Sequence, residues 1–321
     1  MQKIPTISDQ LDKEKFFEVI NENFSTLAPA YYTLITILLI DAYKVYKGID
    51  KFIILIYLIN KDFIFYKKNK IVVDYDTFYR DKSLEISNIN IIDISKDLLI
   101  PRESVRRKIE ILKKQGVIKK NGKKIFVDSS AFVTAKADKT LKNLSILVFE
   151  FTKILKSKNI TDESFSVDEI SKSIKENFSF CWYQFYKFLF IFTNRWKTNT
   201  KTQDLETVCV GFIVLINTVQ NKIFKNKNLG RKKYLKELKK SDHIGINAFS
   251  IADISGIPRA TVVRKLKFLI KNNFLIIDEK KLYTFGLGTE SKQYNVISKL
   301  QDQNMNSLSQ LLYKIFNQIK I

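Results

Sequence analysis

Ile94–Val127 reads ISKDLLIPRESVRRKIEILKKQGVIKKNGKKIFV. Val105, Ile109 and Leu112 are spaced four and three apart, so they form one stripe on a helix running over Pro101–Gln115. Pro101 suits the first helical turn, where its missing N–H costs nothing. Gly116 suits the left-handed C′ position that ends a helix. Upstream, Ile92–Leu98 is a short helix, Leu99-Ile100 its turn, and Ile89–Ile91 a short β-type segment. Downstream, Val117–Lys119 and Lys124–Val127 are two short strands around Lys120-Asn121-Gly122-Lys123, and Asn-Gly is a strong hairpin signal.

The same plan returns later in the chain. At a constant offset of 157, Ile89–Val127 aligns without gaps on Ile246–Thr284, with thirteen of thirty-nine positions identical. The identities include Pro101/Pro258, Arg102/Arg259, Val105/Val262, Arg107/Arg264, Lys108/Lys265 and Leu112/Leu269. Ile251–Ser255, Gly256, Pro258–Asn272, Phe274–Ile277 and Lys281–Phe285 restate the elements, with a turn at Asp278-Glu279-Lys280 that lacks glycine. Glu22-Asn23-Phe24-Ser25 recurs as Glu176-Asn177-Phe178-Ser179, Leu58-Ile59-Asn60 as Leu215-Ile216-Asn217, and Leu144-Ser145 as Leu308-Ser309. Two copies of a unit of about 155 residues mean a duplicated domain rather than a solenoid. The expected domains are 8–156, with a core about 50–128, and 163–321, with a core about 206–286.

Around these cores the pattern is helical. Ser8 is a suitable N-cap for a helix over Leu11–Asn23, with a counterpart over Val167–Asn177. Apolar segments follow at Tyr31–Tyr46 and Phe52–Leu58, and at Trp182–Trp196 and Val208–Val219. Charged residues such as Asp41, Lys44 and Arg195 interrupt them before they reach the 18–20 residues of a span, so they read as buried helices and no membrane is expected. Leu141–Lys156 and Met305–Ile319 close the two units.

The segments Ile94–Val127 and Ile251–Phe285 resemble winged helix-turn-helix transcriptional regulators. The pattern apolar-Pro-Arg-x-Ser/Thr-Val-x-Arg, followed by a basic hairpin, is similar to the recognition helix and wing of that superfamily. The flanking helices resemble the MarR-like arrangement, in which terminal helices build a dimer. The implied fold class is mainly α: two tandem winged helix-turn-helix units, each with flanking helices and a small β-hairpin wing, forming an intramolecular pseudo-dimer on one chain.

Charge points to a partner. The chain has 321 residues, 55 Lys+Arg against 33 Asp+Glu, a net charge of +22 and 45% apolar residues. Such a composition builds packed cores and attracts polyanions, nucleic acid first. Only eight of the basic residues are arginine, and five of them lie in the two repeated stretches. Arginine offers a rigid fork for guanine or phosphate that lysine lacks. Pro101–Lys124 carries +8 and Pro258–Lys281 +5, so 48 residues hold +13 of the +22.

Double-stranded DNA is therefore the expected partner. The expected contact residues are Arg102, Ser104, Arg106, Arg107, Lys119, Lys120, Lys123 and Lys124 in the first copy, and Arg259, Thr261, Arg264, Lys280 and Lys281 in the second. Arg102 and Arg259 are placed for bases, and Arg107 and Arg264 for backbone. A further basic run, Lys222–Lys240, is either an extension of this footprint or a solvated segment. Transcriptional regulation leads. A plasmid-type replication initiator with tandem winged-helix domains, and a winged-helix interaction module without DNA affinity, are the alternatives.

Enzymatic chemistry is not expected. The one histidine, His243, the two cysteines Cys181 and Cys209, and the pairs Asp41/Asp50 and Asp74/Asp76 form no recognisable catalytic or metal-ligand pattern, and there is no phosphate-binding glycine loop. No cofactor is expected. Met1–Leu11 has no apolar signal region, which gives the expectation of a cytoplasmic protein. The aromatic segments around Tyr31-Tyr32 and Trp182–Phe190 read first as packed core, and second as a place for an apolar effector.

Overall fold

Why each copy folds as it does is clearest at its second repeated helix. The computed structural model describes residues 13–80, 83–86, 89–122, 124–128, 137–200, 202, 204–219, 228–237, 245–286 and 292–319. In the first copy the helices are α1 (Lys13–Glu22), α2 (Phe24–Tyr46), α3 (Ile49–Lys68), α4 (Tyr75–Arg80), α5 (Ile91–Leu98), α6 (Arg102–Lys114) and α7 (Asp138–Ser157). In the second they are α8 (Val167–Glu176), α9 (Phe178–Thr200), α10 (Leu205–Val219), α11 (Arg231–Glu237), α12 (Ala248–Ser255), α13 (Arg259–Lys271) and α14 (Lys292–Ile319). The strands are β1 (Ser83–Ile86), β2 (Ile118–Asn121), β3 (Lys124–Asp128), β4 (Leu275–Ile277) and β5 (Tyr283–Phe285). The described residues are thus mainly helical, with two small antiparallel sheets.

Helix α6 starts one residue later than the sequence spacing predicts, because Pro101 (φ −54°, ψ 139°) is the N-cap itself. It ends at Lys114, with Gln115 as its C-cap and Gly116 left-handed at φ 72°. The Gly116 N–H donates to the Lys113 carbonyl at 2.9 Å and the Val117 N–H to the Leu112 carbonyl at 3.0 Å, the paired bonds of a Schellman motif. In α13 the same two bonds run from Asn273 to Ile270 and from Phe274 to Leu269, with Asn273 left-handed at φ 57°. Asparagine tolerates that conformation better than most residues, which is how a glycine-free ending keeps the geometry.

The expected strand at Ile89–Ile91 is not there. Asn90 Oδ1 accepts from the backbone N–H of Ile92 and Asp93 and caps α5, which makes Ile91 helical. The strand lies earlier, at β1, where Ser83 pairs with Asp128 and Ile86 with Ile125, giving the order β1-β3-β2. In the second copy the third strand shrinks to one bridge, Ile246 to Tyr283, beside the β4-β5 pair. Lys281 also departs from expectation: it sits in the turn at φ 59°, and β5 begins only at Tyr283. The Asp278 carboxylate accepts the Leu282 N–H at 2.8 Å and holds that turn without glycine.

Helix α2 begins at Phe24, ahead of Pro29, although the apolar run suggests Tyr31. The Ser25 N–H donates to the Leu229 carbonyl and its Oγ accepts the Leu229 N–H, so the first turn is held by the other copy. α2 is the one helix among the described residues long and apolar enough to cross a membrane by composition; 61% of that window is buried inside the protein.

The copies pack crosswise. Each long helix lies on its own closing helix, α2 on α7 and α9 on α14. But α2 also packs on α10 and α9 on α3, while α1 packs on α14 and α8 on α7. One continuous hydrophobic cluster therefore contains side chains of both copies, among them Phe16, Tyr31, Phe63, Phe178, Trp182 and Phe316.

Candidate nucleic-acid interface

The apolar stripe fixes which side of α6 and α13 faces outward. Val105, Ile109 and Leu112 are fully buried, as are Val262, Leu266 and Leu269 in the second copy. Arg102, Arg106 and Arg107 are consequently exposed on α6, and Arg259 and Arg264 on α13. Ser104 and Thr261 are half-buried at the edge of that face. On the hairpins Lys119, Lys120 and Lys124 are exposed, as are Lys280 and Lys281. Lys123 lies outside the described residues, as do His243 and residues 222–227 and 238–240 of the Lys222–Lys240 run.

The face is less positive than the residue count implies. Arg106 lies 3.6 Å from Glu103 one helical turn back. Lys119 is paired with Asp128 across the β2-β3 hairpin, and Lys124 with Glu85 of β1 at 2.8 Å. Glu85 and Asp128 stand outside the stretch over which the charge was summed, and sheet pairing brings them to the wing. The second hairpin differs further: Ile276 and Ile277 occupy the positions of Lys119 and Lys120 and are 56% and 44% exposed. Ile92 and Phe249, equivalent positions near the start of α5 and α12, are also exposed.

Both outward helices are tethered by a lysine identical in the two copies. Lys108 Nζ lies 3.5 Å from Asp50, in the first turn of α3. Its counterpart Lys265 is buried and donates to Asp204 at 2.7 Å, at the start of α10. Burial raises the Asp204 pKa, but the Lys265 hydrogen bond and charge, with the Thr207 bonds, outweigh it and leave the carboxyl below its usual value. In the first copy Asp50 also accepts from Lys197 of α9 at 3.2 Å, and Lys197 donates to the Leu98 carbonyl at 3.3 Å. Asn194 of α9 donates to the Asp97 carbonyl at 2.6 Å. The end of α5 is thus gripped by a helix of the second copy. Lys108/Lys265 and the capping Asn90/Asn247 are marked in the sequence only by their identity at the offset of 157.

Several expected charges have structural partners instead. Arg231, within the Lys222–Lys240 run, is buried and pairs with Asp302 of α14, so it is no surface cation. Asp41 pairs with Lys139 at 3.6 Å, and Asp74 accepts the Thr77 N–H at the start of α4. Cys181 and Cys209 are buried free thiols, and burial pushes the Cys181 pKa up to about 12. Among the described residues no three His, Cys, Asp or Glu side chains gather as a metal-binding group.

Comparison with protein-family models, with curated proteins and with solved structures gave no match.

Proposed function

We propose that the chain binds double-stranded DNA sequence-specifically, as a transcriptional regulator, through two non-identical winged helix-turn-helix units joined in an intramolecular pseudo-dimer. The observation that carries this reading is the duplicated arginine face. Two capped helices, each preceded by a short helix and followed by an antiparallel hairpin, turn the scarce arginines outward. The crosswise packing of the copies favours a pseudo-dimer over two independent beads.

In this reading Arg102 and Arg259 reach base edges, Arg107 and Arg264 grip phosphate, and Ser104 and Thr261 assist from the helix edge. Lys120 is the principal wing cation, since Lys119 and Lys124 must leave Asp128 and Glu85 to reach phosphate. Arg106 becomes Val263 and the wing lysines Lys119 and Lys120 become Ile276 and Ile277, while Lys123 and Lys124 are kept as Lys280 and Lys281, so the first copy carries the larger share of the electrostatic attraction. The target is an imperfect palindrome with half-sites about 10 bp, or roughly 34 Å, apart.

Selection of bound genomic fragments, followed by titration of the best site at several salt concentrations, tests the reading. With about eight phosphates neutralised, the log–log salt slope is expected near −7. A flat salt dependence refutes DNA binding. Recovery of direct repeats, rather than an imperfect palindrome, favours the replication-initiator alternative.

A further inference from the structure

The two copies differ in one place where a duplicated core should match. A cavity of about 560 Å³ lies between the copies. Its walls include Leu38, Ala42 and Tyr46 of α2, Leu55 of α3, and Trp182 and Tyr186 of α9. Helices α2 and α9 are both 23 residues long and align at an offset of 154, which places Phe192 and Trp196 opposite Leu38 and Ala42. The offset of 157 that relates α3 to α10 places Phe212 opposite Leu55. In the second copy those three aromatics pack on one another: Trp196 on Phe212 at 5.1 Å, Phe192 on Phe212 at 5.8 Å and Phe192 on Trp196 at 6.1 Å. Tyr32, the counterpart of Tyr186, closes on the same Phe212 at 5.9 Å. Leu38, Ala42 and Leu55 thus line the cavity where three rings pack together in the second copy, while Tyr46, Phe52 and Trp182 give it an aromatic wall where that copy has Thr200, Cys209 and Ala28.

The cavity opens to solvent, so its apolar wall stays in contact with water unless something else occupies it. Its volume falls within the range of small-molecule sites. The mouth is electrically balanced: Asp41 is paired with Lys139, Asp138 accepts the Tyr75 hydroxyl at 2.6 Å, and Lys44 is exposed beside them. Deeper in, burial pushes the Tyr46 and Tyr186 hydroxyls well above their usual pKa, so they stay neutral hydrogen-bonding groups. No uncompensated charge is left on the wall to select an ion.

We infer that this cavity is a binding site for an uncharged, largely aromatic small molecule. The inference stands on the shape of the cavity and the charge balance of its wall, and holds whether or not the chain binds DNA.

The test uses the full chain and the uncharged fluorophore N-phenyl-1-naphthylamine. Saturable binding at one molecule per chain is expected, with quenching of tryptophan emission through Trp182 in the cavity wall. Ala42→Trp supplies the ring found at Trp196, and Leu38→Phe the ring found at Phe192. Each is expected to weaken probe binding at least tenfold while circular dichroism and the urea midpoint show a folded protein. If Ala42→Trp overpacks and fails to fold, Leu38→Phe decides by the same criteria. No saturable binding to the unaltered chain, or undiminished binding in the folded filled variants, overturns the inference.

Discussion

Replacing Lys197 by methionine probes the contact on which the two copies depend. Lys197 is one of the few buried lysines, its side chain 7% exposed, and it joins three elements: α9, the first turn of α3 through Asp50, and the end of α5 through the Leu98 carbonyl. Methionine keeps the length of the stem and removes the charge. A hydrogen bond to a charged group contributes about 1.5–3 kcal/mol. Full orphaning of a buried charge costs about 3–5 kcal/mol, but Asp50 keeps Lys108 at 3.5 Å and the N-terminal amides of α3. The expected loss for Lys197→Met is therefore about 2–3 kcal/mol, between these limits and nearer the first. In an Asp50→Asn background no carboxylate is left stranded, and the same change is expected to cost about 1 kcal/mol or less. Urea unfolding of the single and double variants, followed by far-ultraviolet circular dichroism, yields the coupling energy. At least about 1 kcal/mol of coupling is expected. A Lys197→Met cost below about 0.5 kcal/mol, or additive single changes, refutes the view that this contact ties α5 and α3 to the second copy.

Other outcomes follow from the same geometry. Leu99 holds a left-handed φ of 52° where the second copy has Gly256 at φ 69°, and its side chain is half exposed. The strain of about 1–2 kcal/mol exceeds glycine's entropic cost of about 0.5–1 kcal/mol, so Leu99→Gly should raise the unfolding midpoint; a fall contradicts this. The Asp204 carboxyl has a folded pKa below its unfolded value, so its stabilising contribution is full above the unfolded pKa and is lost as pH falls through the folded one. Lys265→Met should therefore flatten the acid limb of a stability–pH curve, and an unchanged limb contradicts the pairing. On the wing, Glu85→Gln should strengthen duplex DNA binding by releasing Lys124, and Lys120→Ala should weaken it more than Lys119→Ala, as measured by fluorescence anisotropy at fixed salt. The reverse order at the two lysines contradicts the pairing of Lys119 with Asp128.

The parts of the fold legible in the sequence are those governed by neighbours along the chain. Helices α6 and α13 declare themselves through Pro101 and Pro258 at one end, through left-handed Gly116 in the first copy at the other, and through one apolar stripe between. The arginine faces follow, because burying Val105, Ile109 and Leu112 leaves Arg102, Arg106 and Arg107 outside. By contrast, Ser83–Ile86 is too short to show an alternation of its own and becomes a strand through β3. The first turn of α2 gains its partner from Leu229, some 200 residues away. The neutralised wing was equally hidden, since Glu85 reaches Lys124 only across a sheet.

The recurrence at an offset of 157 and the apolar spacing are enough to read a repeated, mainly helical unit and the face of α6 and α13 that stays in water. Caps, turn residues and apolar spacing act over a few residues and need no knowledge of the rest. That the copies exchange partners, α2 lying on α10 and α9 on α3, and that Ala42 borders a cavity while its counterpart Trp196 packs on Phe212, emerges only when the chain is folded. The reason is that hydrophobic attraction has no direction: an apolar stripe requires burial but does not name the surface that buries it. That choice is made by shape, when all the helices meet in one core.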